Sequence, residues 1–327
     1  MQFKCVNCGG NMVYDPEKGK MLCLSCNAID SEEIVKQDDC YACPSCGGKL
    51  TVTDFTSATK CEYCGTYTII DEKITYPYGP DLVLPFRFTK DQATELLRKE
   101  FKDRLFCPGD FLSQRTLEKM EGDYVPFWLY SYDVTAEWDG IGTKVRTWRS
   151  GDTEYTETSK YHVYRRMELD FNRVPVDASI KMPDGIMDLM EPYSYEQLQK
   201  FEAKYMSGFE AETYNQTPDE LEGRAKTKVD RDADAQLKLT MTGYTSLIPS
   251  RNDIQHRARA REFAMLPVWK YVYRYHGKDL EYYINGQTGK VYGKMPKSIG
   301  RIVFSGGSLL IVGMLLMLAL QYFVEVF

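Results

Sequence analysis

Four Cys-x-x-Cys pairs within the first 64 residues constrain this chain more than any other feature. Cys5-Val-Asn-Cys8 and Cys23-Leu-Ser-Cys26 are separated by fourteen residues. Cys43-Pro-Ser-Cys46 and Cys61-Glu-Tyr-Cys64 repeat the pattern with the same gap, 38 positions further on. Cys8-Gly9-Gly10 matches Cys46-Gly47-Gly48, and an apolar residue follows at Met12 and Leu50. The N-terminal region is an internal duplication.

The spacing fits two tetrahedral zinc sites, in which four thiolates at about 2.3 Å from the ion come from two tight turns joined by a short hairpin. Each turn needs a residue that tolerates positive φ just after its second cysteine. Gly9, Asn27, Gly47 and Gly65 hold those places, and Gly and Asn adopt that conformation at least cost. Units of about 25 residues bury too little apolar surface to fold alone, so metal binding has to supply folding energy. Redox-active pairs are the competing explanation, but two equal frames with no thioredoxin-like context argue against it. The expected ligands are Cys5, Cys8, Cys23 and Cys26 for one structural Zn²⁺, and Cys43, Cys46, Cys61 and Cys64 for a second. Cys40-Tyr-Ala-Cys43 is also a Cys-x-x-Cys, but the repeat places Gln2 opposite Cys40, which is expected to be a spare thiol. Cys107, the one cysteine beyond residue 64, is expected to be a small core or turn residue.

Residues 1–74 carry seven Lys, no Arg and eleven acidic side chains, a net of minus four. Each zinc with four thiolates adds a formal charge of about minus two. Such a surface repels phosphate, so protein contact or scaffolding is expected rather than nucleic-acid binding. Residues 75–298 are nearly balanced, with 33 basic and 35 acidic side chains. The chain opens with no apolar run behind a basic start of the kind a signal peptide has, so the cysteines are expected to stay in reducing cytosol.

At the other end, Ile302 to Leu320 is nineteen residues without a charge, about 28 Å of helix and close to the thickness of a bilayer's hydrocarbon core. Lys290, Lys294, Lys297 and Arg301 precede it, whereas only Glu325 follows. Positive-inside asymmetry predicts a single-pass membrane protein with its N-terminal bulk in the cytoplasm. Gly306, Gly307 and Gly313 do not form GxxxG, so dimerisation through the span stays open.

Between these ends, Pro77, Gly79 and Pro80 mark a linker. Leu82 to Phe88 predicts a strand, Thr89 caps a helix with Ala93, Leu96, Leu97 and Phe101 at helical spacing, and Phe111 to Met120 suggests a second helix. Val125 to Val134 alternates and is aromatic, with further strands expected over 142–149, 154–158 and 161–171. Residues 183–238 read as helical and loop-rich, with a solvent-facing charged stretch at 226–234. Strands return at Leu266 to Tyr275, Leu280 to Ile284 and Val291-Tyr292, a meander with turns at Gly277 and Asn285-Gly286. Pro126 to Tyr132 and Pro267 to Tyr273 share a PxWxYxY pattern that leaves open two related β-units. Arg257, Arg259 and Arg261 alternate along the chain, as a solvated strand face or as a contact for anionic lipid or an acidic partner.

The expected fold class is therefore multidomain: two tandem four-cysteine zinc ribbons (1–36 and 37–74), a central α+β domain rich in antiparallel strands (75–298), and a transmembrane helix (299–324) with a short tail (325–327). No phosphate-binding loop, HExxH or GxSxG occurs, and His162, His256 and His276 show no metal or triad spacing. No catalytic residue is assigned, and the chain is expected not to be an enzyme.

The CPSCGG and CEYCG ribbons, VPFWLYSYDV, LPVWKYVYRY, YYINGQTGKVYGKMP and the terminal span together resemble bacterial membrane-anchored TFIIB-type double zinc-ribbon proteins, found beside PspA-type phage-shock proteins. That resemblance implies a non-enzymatic membrane adaptor in an envelope-stress system, recruiting a PspA-like or SPFH-domain partner. The ribbons are also similar to those of the primosomal helicase, but without a nucleotide-binding loop helicase activity does not carry over. The alternatives are a membrane tether for nucleic acid and an enzyme of unknown chemistry in the central domain, for which a deep pocket with convergent polar groups would speak.

Overall fold

The computed structural model describes residues 1–36, 41–75 and 79–326, so Cys40 and Pro77 lie outside the described residues. The first ribbon is built from β1 (Gln2–Cys5), β2 (Met12–Asp15), β3 (Lys20–Cys23) and β4 (Glu32–Val35). β2 and β3 form an antiparallel hairpin, and β1 pairs with β4. The second ribbon contributes the antiparallel pair β5 (Thr56–Lys60) and β6 (Tyr67–Ile69), followed by the short helix α1 (Asp71–Ile74).

β7 (Leu82–Val83) is shorter than the strand expected over 82–88, because Pro85 has no N–H for a ladder. α2 (Lys90–Phe101) starts at a capping box in which Gln92 N–H donates to Thr89 Oγ1 and Thr89 N–H donates to Gln92 Oε1. It buries Ala93, Leu97 and Phe101. α3 (Gln114–Leu117) fills only the middle of the helix expected over 111–120. There Thr116 Oγ1 donates to the carbonyls of Phe111 and Ser113, offering the backbone an alternative to helix.

The strand stretches expected over 125–171 are segments of one long antiparallel hairpin, β8 (Glu121–Ser150) and β9 (Thr153–Asp177). After α4 (Asp184–Met190), β10 (Gln199–Lys200) and β11 (Glu210–Glu212) comes α5 (Pro218–Leu239). Thr217 and Glu220 cap α5, and its residues Leu221, Ala225, Val229, Ala233 and Leu237 are buried at four-residue spacing. The charged stretch at 226–234 thus straddles two faces: Val229 and Ala233 point inward while Lys226 pairs with Glu222 at 3.0 Å. β12 (Ser246–Tyr275), β13 (Lys278–Asn285) and β14 (Val291–Gly293) form the expected meander, and α6 (Ile299–Val326) ends the described chain.

The main sheet runs β10-β7-β12-β8-β11-β5-β6, with β9 on β8 and β13 on β12. The two aromatic PxWxYxY strands are direct neighbours, Pro126 lying opposite Met265 and Pro267 opposite Tyr124. The second ribbon joins this sheet, since β11 bridges β8 and β5 through Tyr124–Ala211 and Ala211–Ala58. The first ribbon packs against it: Ser207 Oγ donates to the Met12 carbonyl at 2.7 Å, Tyr14 N–H donates to the Ser207 carbonyl, and the Tyr14 and Tyr205 rings meet edge to face. One core accordingly runs from Phe3, Tyr14 and Met21 through Phe86, Phe209 and Trp269 to Tyr271 and Tyr282. Phe86 and Phe209 stack at 4.1 Å in its centre. Both ribbons share their packing with the central α+β layer.

Candidate metal centres

Each of the four turns has the same pair of backbone hydrogen bonds. Gly9, Asn27, Gly47 and Gly65 N–H groups donate to the carbonyls of Cys5, Cys23, Cys43 and Cys61, at 2.8–3.0 Å. The N–H groups of those same cysteines donate to the carbonyls of Gly10, Ala28, Gly48 and Thr66. The chain can reverse this tightly because all four turning residues are left-handed, at φ 70, 60, 71 and 72°. The first cysteine of each pair is thereby buried and the second is exposed.

These turns bring Cys5, Cys8, Cys23 and Cys26 into one group and Cys43, Cys46, Cys61 and Cys64 into another, the sulfurs of each lying within 4.8 Å of one another. Cys5–Cys26 and Cys8–Cys23 are 3.7 and 3.5 Å apart, and Cys43–Cys64 and Cys46–Cys61 are 3.6 and 3.7 Å apart. A disulfide would need about 2.05 Å, and the thiols are free. A tetrahedron of sulfurs about 2.3 Å from a central ion has edges of about 3.8 Å. The donor sets therefore fit a metal ion each.

The electrostatics call for a cation as well. The backbone N–H of Cys26, and that of Ser25 at 3.4 Å, favour the Cys23 thiolate and lower its pKa to about 6. The Ala28 N–H favours the thiolate at Cys26, but the neighbouring Cys8 and Cys23 thiols outweigh it and push Cys26 up to about 12. Four thiolates cannot coexist there without a positive charge among them. A group the spacing did not single out as functional, Gln2, links the two ribbons: its buried Nε2 lies 3.7 Å from Cys43 Sγ and 2.9 Å from Thr68 Oγ1, and Ser45 Oγ donates to its Oε1. Cys107 is buried away from both clusters, and burial raises its pKa.

Arg257, Arg259 and Arg261, three of the five arginines on β12, are paired within the sheet and α5. Arg257 and Arg259 reach Asp133, Arg259 also meets Asp170, and Arg261 meets Asp219 and Glu222. His162 Nε2 lies 2.9 Å from Asp139 Oδ2 and His256 Nε2 lies 2.7 Å from Asp230 Oδ1, so among the described residues each contacts a single carboxylate and no nucleophile completes a triad.

A cleft of about 940 Å³ lies where the second ribbon meets the sheet, walled by Lys60, Glu121, Asp123, Glu210, Glu212 and Lys270. Burial, with Glu210 beside it, pushes Asp123 up to about 7. Sequence reasoning could not assemble this cleft, because its carboxylates come from β8 and β11, far apart in the chain.

The third feature is α6, whose Ile299–Ala319 stretch of 21 residues is long and apolar enough to cross a bilayer and is unburied by the rest of the chain. At 1.5 Å per residue it extends about 31 Å.

With two four-cysteine clusters, a strand-rich central layer and one apolar helix in place, the chain can be compared with known proteins. It is 34% identical over 319 residues to a Bacillus subtilis (strain 168) protein described as uncharacterized protein YdjG, covering 94% of this chain and 94% of that one. This chain belongs to the YdjG family. No family model and no solved structure matches it. The alignment to YdjG is too long to rest on the ribbons alone, so the relationship takes in the central α+β layer too.

Proposed function

We propose that the chain is a membrane-anchored, zinc-loaded adaptor whose ribbons hold cytosolic protein partners at the bilayer surface. The observation that carries this reading is apolar exposure on three of the four cysteine turns. Val6, Leu24 and Tyr63 lie between the paired cysteines and are 62, 63 and 72% exposed. Turns fixed by metal present these side chains at little entropic cost, which suits protein recognition. The acidic ribbons oppose phosphate, so a protein is favoured over nucleic acid.

Zinc suits each site because four thiolates in a tetrahedron are a closed, structural donor set with no open position for chemistry. α6 crosses the membrane once, with Lys294, Lys297 and Arg301 on the cytoplasmic side. The partner class is the one implied by the family resemblance, a PspA-like or SPFH-domain protein in an envelope-stress response. The Asp123 cleft favours a second reading, a small-molecule site or an unassigned activity in the central layer.

The test compares proteins co-purifying from detergent extract with wild type and with a Val6→Asp, Leu24→Asp, Tyr63→Asp variant that still carries two zinc ions. Loss of specific partners supports the adaptor, and an unchanged set rejects ribbon-mediated recruitment. A salt-sensitive gel shift by the purified chain would favour nucleic-acid tethering instead.

A further inference from the structure

We infer a second membrane contact: the 102–110 loop after α2 dips Leu105 and Phe106 into the headgroup region of the bilayer that α6 crosses. The inference rests on the membrane-spanning reading of α6 and adds to it a fixed posture of the whole cytosolic body.

Leu105 is 77% exposed and Phe106 36% exposed, adjacent apolar side chains at the tip of a loop whose neighbours are tied down. Arg104 N–H donates to the Phe101 carbonyl and Cys107 N–H to the Arg104 carbonyl. Cys107 is buried, and Tyr273 Oη donates to Asp110 Oδ1 at 2.8 Å. The turn thus holds Leu105 and Phe106 outward by pinning both sides, which gives the buried Cys107 a role as an anchor.

The loop sits at the root of α6. Ser298 N–H donates to the Phe106 carbonyl at 2.8 Å. A Cβ on Gly109 would lie 3.1 Å from Arg301 Nη2, so the guanidinium lies over a bare stretch of loop. Tyr282 Oη donates to the Lys294 carbonyl at 2.9 Å, securing the chain just before the helix. The first residue of the uncharged stretch, Ile302, is only four positions beyond Ser298, about 6 Å along a helix. The headgroup layer of one leaflet is roughly 5–8 Å thick. Leu105 and Phe106 therefore lie within that layer once α6 spans the core. Lys294, Lys297 and Arg301 lie in the eight residues before the uncharged stretch, with no acidic residue between positions 294 and 324, and the loop adds Lys102 and Arg104 beside Asp103 and Asp110, a charge balance that suits anionic headgroups.

The experiment uses the full chain carrying Leu105→Trp, reconstituted into phosphatidylcholine and phosphatidylglycerol vesicles, and reads the fluorescence added relative to wild type. The exposed position leaves the core untouched. We expect the added emission to be blue-shifted, quenched by brominated lipid and protected from iodide. Red-shifted, iodide-quenched emission from protein that floats with the vesicles overturns the loop contact while leaving the span intact. A chain that does not float with the vesicles overturns the span, and the loop contact with it.

Discussion

Gln2 Nε2 lies 3.7 Å from Cys43 Sγ, so a side chain of the first ribbon donates to one of the four clustered thiols of the second. Thr68 Oγ1 accepts from the same amide at 2.9 Å and Ser45 Oγ donates to its oxygen, which fixes its orientation. Hydrogen bonds to a ligand thiolate spread its charge and hold it in place. Gln2→Leu keeps the size of the side chain and removes these bonds. It should weaken metal binding at the second cluster by about tenfold or more and leave the first unchanged. Competition with a chromophoric chelator resolves the two sites, and equal affinities in variant and wild type would show that Gln2 only fills space.

Metal removal should reach beyond the ribbons. Phe3, Tyr14, Met21 and the ligands Cys5 and Cys23 belong to the same core as Phe86, Phe209 and Trp269. Ser207 ties that core to the Met12 carbonyl. Chelation of the full chain in detergent should lower the melting temperature reported by the buried tryptophans, and Cys23→Ser should do the same without a chelator. A melt of the central layer that ignores chelation would mean that the ribbons fold independently of it.

Replacing Arg257, Arg259 and Arg261 with Gln should leave vesicle binding by the chain unchanged. Their charges are matched by Asp133, Asp170, Asp219 and Glu222 in the fold itself. Exposed arginines already paired with carboxylates carry little net charge to offer an anionic surface. Vesicle flotation with and without anionic lipid checks this, and reduced flotation of the variant would restore these arginines as a lipid contact.

What the sequence made legible is local chemistry. The left-handed Gly9, Asn27, Gly47 and Gly65, the Thr89 cap and the Asn285-Gly286 turn each depend on a few adjacent residues, and each was identifiable from residue type alone. Pro85 cut β7 short for an equally local reason that a run of apolar letters concealed. The pairing of Ala58 with Ala211 and of Tyr124 with Ala211 was not legible, because nothing near these residues encodes a partner so far along the chain. The lengths of β8 and β9 were obscured for another reason. Register shifts between Tyr130 and Tyr132 break the alternation, and beyond Thr143 the hairpin leaves the cover of β12, so its outer residues are exposed on both faces. The Asp123 cleft depends on those same long-range pairings.

Asp123 makes the pH dependence of stability specific. Asp123 lines the cleft as a partly buried residue, and burial together with Glu210, Glu121 and Glu212 raises its pKa to about 7, with Lys270 opposing them. An unfolded aspartate titrates near 3.9. Below about pH 4 both states hold the proton and the group has no effect on stability. As pH rises from about 4 to about 7 the unfolded chain gives up the proton and the folded chain keeps it, so stability falls across that window and stays reduced above it. Asp123→Asn should therefore match wild type in acid and exceed it at pH 8, by on the order of 1–3 kcal/mol once Lys270 and solvent screening are allowed for. Melting temperatures of the two proteins measured between pH 4 and pH 8 test this directly. Parallel curves would mean that Asp123 ionises in the folded protein as it does in water, and that the cleft is too well solvated to hold a proton.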